Sequence, residues 1–265
     1  MPATPRTTVK DLSAMKARGH KITMLTAYDF PTARLLDEAG VETILVGDSM
    51  SMVVQGHENT LPVTLDQIIY HAEIVGRAVE RALIVVDMPF PTYHLGIHKT
   101  IENAARIIKE TRCQAVKLEC GAAQAEIITA LVSAGIPVMA HVGLSPQAVH
   151  QLGGYKVQRD EERLLNDAET AEAAGAFSVL LECVSSNIAK KITEKLRVPT
   201  IGIGAGAVCD GQVLVVNDML GLTNGYVPRF ARKYADLQGV ITDAVTRFRD
   251  DVRNGDFPGD AESYK

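Results

Sequence analysis

The stretch Glu38-Ala-Gly-Val-Glu-Thr-Ile-Leu-Val-Gly-Asp48 decides the fold. A helix-like segment over about 31–39 ends at Gly40, where glycine supplies the left-handed conformation that stops a helix before the chain turns back. The apolar run Thr43–Gly47 follows, and an acid, Asp48, stands on its tail. The same signature recurs twice. Ser133-Ala-Gly-Ile136 leads into the run Pro137–Ala140, and Ala173-Ala-Gly-Ala176 into Ser178–Leu181. The unit is helix, glycine stop, short buried strand and polar tail.

Working outward, further runs rich in Val, Ile and Leu lie at Ile22–Ala27, Leu83–Val86, Ala115–Leu118, Pro199–Ile203 and Val213–Val216. They are continuous rather than alternating, which suits strands covered on both faces of a parallel sheet. Amphipathic segments separate them. Leu65, Ile68, Ile69, Ala72, Val75 and Val79 share one helical face, and Thr64 with Gln67 forms a capping box. Similar segments span about 100–111, 124–134, 162–174 and 187–196. Eight strands alternating with helices in about 200 residues predict an α/β fold, a (β/α)8 TIM barrel. An open doubly wound sheet would need fewer units or a longer chain. A helix over about 8–18 and a helical region over about 229–254 fall outside the eight repeats. No low-complexity segment interrupts the chain, so one domain over residues 1–265 is expected.

Composition narrows the function classes. Among 265 residues, 27 Lys and Arg stand against 32 Asp and Glu, a net charge of −5, which disfavours nucleic acid as a partner. Aromatics are 5% with no Trp, so stacking platforms for bases are not expected. The opening MPATPRTTVKDL has no apolar stretch after its charges, and no run approaches the length of a membrane helix. Cys113, Cys120, Cys183 and Cys209 form no CxxC pair and have no His at zinc-ligand spacing. A cytoplasmic enzyme with reduced thiols is the expectation.

In a barrel of this kind chemistry gathers at the C-terminal ends of the strands. Polar residues fall there in turn: Tyr28-Asp29, Asp48-Ser49, Asp87, Lys117 and Glu119, His141, Glu182, and the run Gly202-Ile-Gly-Ala-Gly206. Asp48, Asp87 and Glu119 offer the oxygen donors that suit a hard cation such as Mg²⁺. An acid just past a strand is also a common helix N-cap. That reading is the stronger for Asp29, which is followed by Phe30-Pro31 and a helical run. It is weaker for Asp48 and Asp87, which precede longer loops. Lys117 and Glu119 share one face of a strand. The lysine is a clamp for an anionic substrate, a Schiff-base nucleophile, or the partner of Glu119 in a structural ion pair. Glu182 is a candidate general base. His141 is read as the last residue of its strand, ligating metal, binding substrate or bonding within the mouth. The glycines at 202–206 do not form a dinucleotide fingerprint and fit a tight turn.

An ordered series of motifs resembles ketopantoate hydroxymethyltransferase. It comprises Leu25-Thr-Ala-Tyr-Asp29, Val46-Gly-Asp-Ser49, Met52-Val-Val-Gln-Gly-His57, Thr60-Leu-Pro-Val-Thr64, Asp87-Met-Pro-Phe90 and Val116-Lys-Leu-Glu119. Gly143-Leu-Ser-Pro-Gln147, Gly153-Gly-Tyr-Lys-Val157, Leu180-Leu-Glu-Cys-Val184, Ile201-Gly-Ile-Gly-Ala-Gly206 and Cys209-Asp-Gly-Gln212 complete it. The resemblance implies a Mg²⁺-dependent barrel enzyme that transfers a hydroxymethyl group from 5,10-methylenetetrahydrofolate to 3-methyl-2-oxobutanoate, giving 2-dehydropantoate for pantothenate biosynthesis. It implies Asp48 and Asp87 as metal ligands, with Glu119 as a third, directly or through water. It implies Asp48, Ser49, Asp87 and Lys117 as substrate contacts and Glu182 as the proton acceptor. It also implies a homo-oligomer, commonly a decamer. Pro91 and Thr92, where smaller residues are expected before the aromatic Tyr93, Cys120 in place of a common glycine, a shortened stretch after Val157 and the tail Glu262-Ser-Tyr-Lys265 depart from the family pattern without touching those residues. The alternative is a Mg²⁺-dependent 2-oxo acid lyase or mutase of the isocitrate-lyase-like barrels, which needs no folate.

Overall fold

The computed structural model describes residues 5–264. The chain divides into two compact units, Met1–Val215 and Val216–Lys265. The first holds a closed barrel of eight parallel strands in chain order, each paired with the next and β8 paired back onto β1. The strands are β1 Ile22–Thr26, β2 Thr43–Val46, β3 Leu83–Asp87, β4 Ala115–Glu119, β5 Val138–Gly143, β6 Ser178–Glu182, β7 Thr200–Ile203 and β8 Gly211–Leu214. The barrel expected from the apolar runs is therefore present.

Helices α1 Val9–Ala17, α2 Phe30–Glu38, α3 Met50–Val53, α4 Leu65–Ala78, α5 Ile97–Glu110, α6 Ala125–Ser133, α7 Val149–Leu152, α8 Glu161–Ala173 and α9 Ser186–Lys195 belong to this unit. Their starts follow from local chemistry. Asp29 caps α2 by accepting from the Thr32 N–H at 2.8 Å, and Thr64 with Gln67 closes a reciprocal capping box on α4. Their stops are the recurring glycines: Gly40, Gly135 and Gly175 have φ of 89°, 83° and 100°, left-handed as the sequence predicts.

Ile22, Met24, Leu45, Leu83, Val85, Ala115, Met139, Leu180, Ile201 and Val213 fill the interior as one buried cluster. Each large side chain taken fully out of water contributes roughly 2 kcal/mol. Leu12 of α1 joins the cluster. Lys16 at the end of that helix pairs with Asp210, which immediately precedes β8, so α1 covers the N-terminal ends of the strands. The opposite end is left for chemistry.

Three boundaries differ from expectation, while the glycine-rich connection between β7 and β8 is the tight turn expected. Strand β5 continues two residues past His141, because Val142 and Gly143 pair with Leu181 and Glu182 of β6. Strand β8 begins at Gly211, two residues before its apolar run, since Gly211 and Gln212 pair with Ile22 and Thr23. A turn over 204–210, with Gly204 and Gly206 at φ 64° and 83°, joins β7 to β8 without a helix. The C-terminal helical region opens at 237 rather than 229, with Asp236 at the N-cap position.

The second unit contains α10 Val216–Leu220 and α11 Leu237–Asn254. Along α11, Val240, Ile241, Val245, Phe248 and Val252 form an exposed apolar stripe. Among the described residues no helix is long and apolar enough to cross a membrane.

Candidate active site

Strand parity carries the core pattern upward into a polar cluster. Val85, Ala115, Met139 and Leu180 point into the barrel, so residues two positions on must do the same. Those residues are Asp87, Lys117, His141 and Glu182, and Glu119 lies two beyond Lys117. Register then brings them side by side, Asp87 opposite Lys117 and Glu119 opposite His141. Asp48 joins them from the end of β2. All but Glu182 are less than a tenth exposed.

The Lys117 ammonium forms a buried ion pair with Asp87 Oδ1. The sequence offered Glu119, its neighbour on the same strand, as the structural partner. The cross-strand neighbour takes that place, because adjacent strands lie closer than residues two apart along one strand. Asp87 Oδ2 accepts from the Asp48 backbone N–H at 3.0 Å. Gly47 lets the two approach: a Cβ there would lie 3.0 Å from Ser49 Oγ and 3.4 Å from Asp87 Oδ2. Asp48 Oδ2 accepts from the Gln147 carboxamide at 2.8 Å, and both Glu119 oxygens accept from the Gln147 backbone N–H at 3.2 and 3.1 Å. Asp48 therefore does not cap the following helix, whose N-cap position is Ser49 with no side-chain bond.

Burial sets the electrostatics. It pushes Asp48 up to about 7, with the Asp87 charge adding to the effect, and lifts Glu119 well above the usual carboxylate range. Burial also works against the Lys117 charge, but Asp87 and Asp48 outweigh it and hold the ammonium above its ordinary pKa. Three acids thus share one buried cation.

Glu182 ends β6, and one of its oxygens lies 3.3 Å from His141 Nε2. That approach is not aligned as a hydrogen bond, and both buried ring nitrogens of His141 lack a hydrogen-bond partner. The chain pins Glu182 through its backbone. Leu144 N–H donates to the Glu182 carbonyl at 2.9 Å, and Gly143, at φ 115°, allows it, since a Cβ there would meet that carbonyl at 2.3 Å. Cys183 follows in a left-handed conformation, φ 50°. On the other side, Ser49 Oγ lies 2.8 Å from the hydroxyl of buried Tyr28, whose carbonyl is 2.6 Å from His71 Nδ1.

The donor set suits a hard divalent cation: carboxylate oxygens, buried and in excess of local positive charge. Among the described residues no three His, Cys, Asp or Glu side chains are disposed to grip an ion together. The fit is that of a cation held by one or two carboxylates, with water and substrate completing the shell, as Mg²⁺ prefers.

The cluster brings together Asp48, Asp87, Lys117 and Glu119, with Ser49 next along the chain and Glu182 beside His141. Reading the sequence assigned no role to Gln147, Tyr93 or Tyr28, which hold these groups. Gln147 and Asp48 are separated by 99 residues, so no local pattern signals the contact.

Comparison with known proteins places this barrel. The family model for ketopantoate hydroxymethyltransferase matches residues 6–260. The chain belongs to the ketopantoate hydroxymethyltransferase family. It is 59% identical to a 3-methyl-2-oxobutanoate hydroxymethyltransferase of Rhodopirellula baltica, covering 98% of this chain and 97% of that one. It is 54% identical to its counterpart in Desulforapulum autotrophicum, covering 98% and 99%. Among solved structures, a phosphonopyruvate hydrolase complexed with oxalate and Mg²⁺ superposes with a TM-score of 0.63 at 13% identity, over 97% of this chain and 91% of that one. A 2,3-dimethylmalate lyase of the PEP mutase/isocitrate lyase superfamily gives 0.61 at 16% identity, with the same coverage. These structures share the barrel fold.

Proposed function

We propose that this chain transfers a hydroxymethyl group from 5,10-methylenetetrahydrofolate to 3-methyl-2-oxobutanoate, giving 2-dehydropantoate and tetrahydrofolate. The observation that carries the reading is the buried cluster of Asp48, Asp87, Glu119 and Lys117 at the barrel mouth, with Glu182 beside it, in a chain 59% identical to an enzyme of that name. The donor set favours Mg²⁺ held by Asp48 and Asp87, with Glu119 acting directly or through water. The chemistry such an ion supplies when bound is Lewis-acid stabilisation of the charge that develops on the keto oxygen.

The protein's own groups supply the rest. Lys117, held protonated by its acidic neighbours, offsets the substrate carboxylate. Ser49, anchored by Tyr28, presents a hydroxyl to a substrate oxygen. Glu182 accepts the proton from C3, with His141 Nε2 3.3 Å from one of its oxygens. Stabilisation that grows as the C3–H bond breaks accelerates the chemical step rather than merely tightening binding. Transfer then forms one C–C bond at C3, breaks the C–N bonds of the folate methylene and consumes one water.

The exposed apolar stripe of α11 supports a homo-oligomer, for which we propose the decamer implied by the family; a monomer in sedimentation velocity would overturn this. Four free cysteines agree with the cytoplasm, which fractionation would test. The decisive experiment follows deuterium exchange at C3 of the oxo acid with Mg²⁺, with EDTA, and then with the folate. Exchange and product formation that EDTA abolishes are expected, with Glu182→Gln losing both. Turnover of the oxo acid to another product without folate would instead favour a lyase or mutase.

A further inference from the structure

Gln147 occupies an unusual position. It is buried, it follows β5 in the loop Ser145-Pro-Gln147, and its bonds reach the ends of three other strands. Its backbone N–H donates to Glu119 at the end of β4, and its carboxamide Nε2 donates to Asp48 after β2 at 2.8 Å and to the Met88 carbonyl after β3 at 3.2 Å. Its Oε1 lies 2.8 Å from the hydroxyl of buried Tyr93.

The direction of every bond follows. A backbone carbonyl can only accept, so the NH₂ end of the carboxamide must face Met88, and it then faces Asp48 as well. That leaves Oε1 toward Tyr93, whose hydroxyl must donate. Burial raises the pKa of this phenol, so it keeps the proton it donates. Without Tyr93 the carboxamide loses the donor to Oε1, one of three partners that together favour this orientation over its flip. One residue therefore sets the orientation of two acids, and a second helps set the orientation of the first.

We propose that Gln147 is the positioning residue of the cation site, fixing Asp48 and Glu119 for a divalent ion, and that Tyr93 locks Gln147 in the working orientation. The proposal rests on the reading of the acid cluster as a cation site. It assigns a purpose to Tyr93, the aromatic that follows Pro91 and Thr92.

The test is Mn²⁺ binding, followed by electron paramagnetic resonance and calorimetry, on the full chain and on the variants Asp48→Asn, Gln147→Met, Gln147→Glu and Tyr93→Phe. Gln147→Met keeps side-chain volume and the backbone bond to Glu119 but removes the donor to Asp48. Outer groups of this kind are worth about tenfold or more in metal affinity. Tyr93→Phe should cost about fivefold, the worth of one neutral hydrogen bond. Both variants should change the Mn²⁺ line shape, and kcat should fall more than substrate KM rises. A merely structural role would lower the melting temperature and leave the line shape alone. Gln147→Glu, which keeps the shape but puts an acceptor where Asp48 needs a donor, should not rescue. Loss of Mn²⁺ binding in Asp48→Asn with wild-type binding in Gln147→Met and Tyr93→Phe overturns the positioning role alone. Absence of binding by the wild type, or unchanged binding by Asp48→Asn, overturns the cation site and the proposal with it. If Gln147→Met does not fold, Tyr93→Phe decides by itself.

Discussion

At the scale of single residues, Lys117 is the group on which the site's electrostatics turn. It is the one cation among Asp48, Asp87 and Glu119, and it is buried with Asp87 in an ion pair. Removing one partner of such a pair leaves an uncompensated buried charge, at a cost of about 3–5 kcal/mol. The two partners are not equivalent here. Lys117→Met leaves three acids with no counter-charge, whereas Asp87→Asn leaves Lys117 still facing Asp48. Lys117→Met should therefore destabilise the metal-free protein more than Asp87→Asn, and the double variant should recover part of the loss. Urea unfolding of the three variants in EDTA measures this; equal effects of the two single changes would refute the account. The pairing also shows what the sequence leaves open at this scale. Lys117 and Glu119 were legible as inward-facing because the period of a strand is two. Which acid holds the lysine depends on how β3 registers against β4, and register is a property of the closed sheet.

At the scale of elements, helix starts and stops were legible because each rests on a few neighbouring residues: Asp29 with Thr32, Thr64 with Gln67, and the glycines that end α2, α6 and α8. Strand ends were less so. Apolar runs mark where a strand is buried, but pairing continues wherever a neighbour offers hydrogen bonds, which is why β5 passes His141 and reaches Gly143. That extension places Gly143 against Glu182, and the glycine is required twice over. Its φ of 115° strains any L side chain, and a Cβ would strike the Glu182 carbonyl at 2.3 Å and Val184 Cγ2 at 2.8 Å. Gly135, at φ 83°, has nothing within 4 Å of the same added carbon and separates the strain from the clash. Gly135→Ala should cost about 1–2 kcal/mol with turnover intact. Gly143→Ala should cost about 3 kcal/mol or more and depress kcat, since relief of the clash must move Glu182. Thermal unfolding and steady-state kinetics on the two variants distinguish them. Equal turnover would mean that Glu182 is not held by this contact.

At the scale of the whole molecule, strands β2 to β6 each bring one or two polar side chains to a common end, and burial there raises the pKa of Asp48 and Glu119. The family's motifs were legible in the chain; the linkage among them through Gln147, Tyr93 and Tyr28 was not, because those contacts join loops far apart in sequence. Their consequence appears in stability. Asp48 titrates near 7 when folded and near 4 when unfolded, and Glu119 is shifted in the same direction. The folded protein thus binds more protons, so this contribution is fully present below about pH 4 and is lost as pH rises through about 7. For the metal-free protein the window from pH 5 to 8 should show falling stability, with Asp48 contributing on the order of 4 kcal/mol across its full range. A divalent cation replaces those protons, so the stabilisation it confers should grow over the same window. Melting temperatures in EDTA and in Mg²⁺ at pH 5.5, 7 and 8.5 test both statements. The slope in EDTA should flatten in Asp48→Asn, where no acid remains at that position to titrate. An unchanged slope in that variant would move the pH dependence elsewhere in the molecule and separate the acid cluster from the protein's stability.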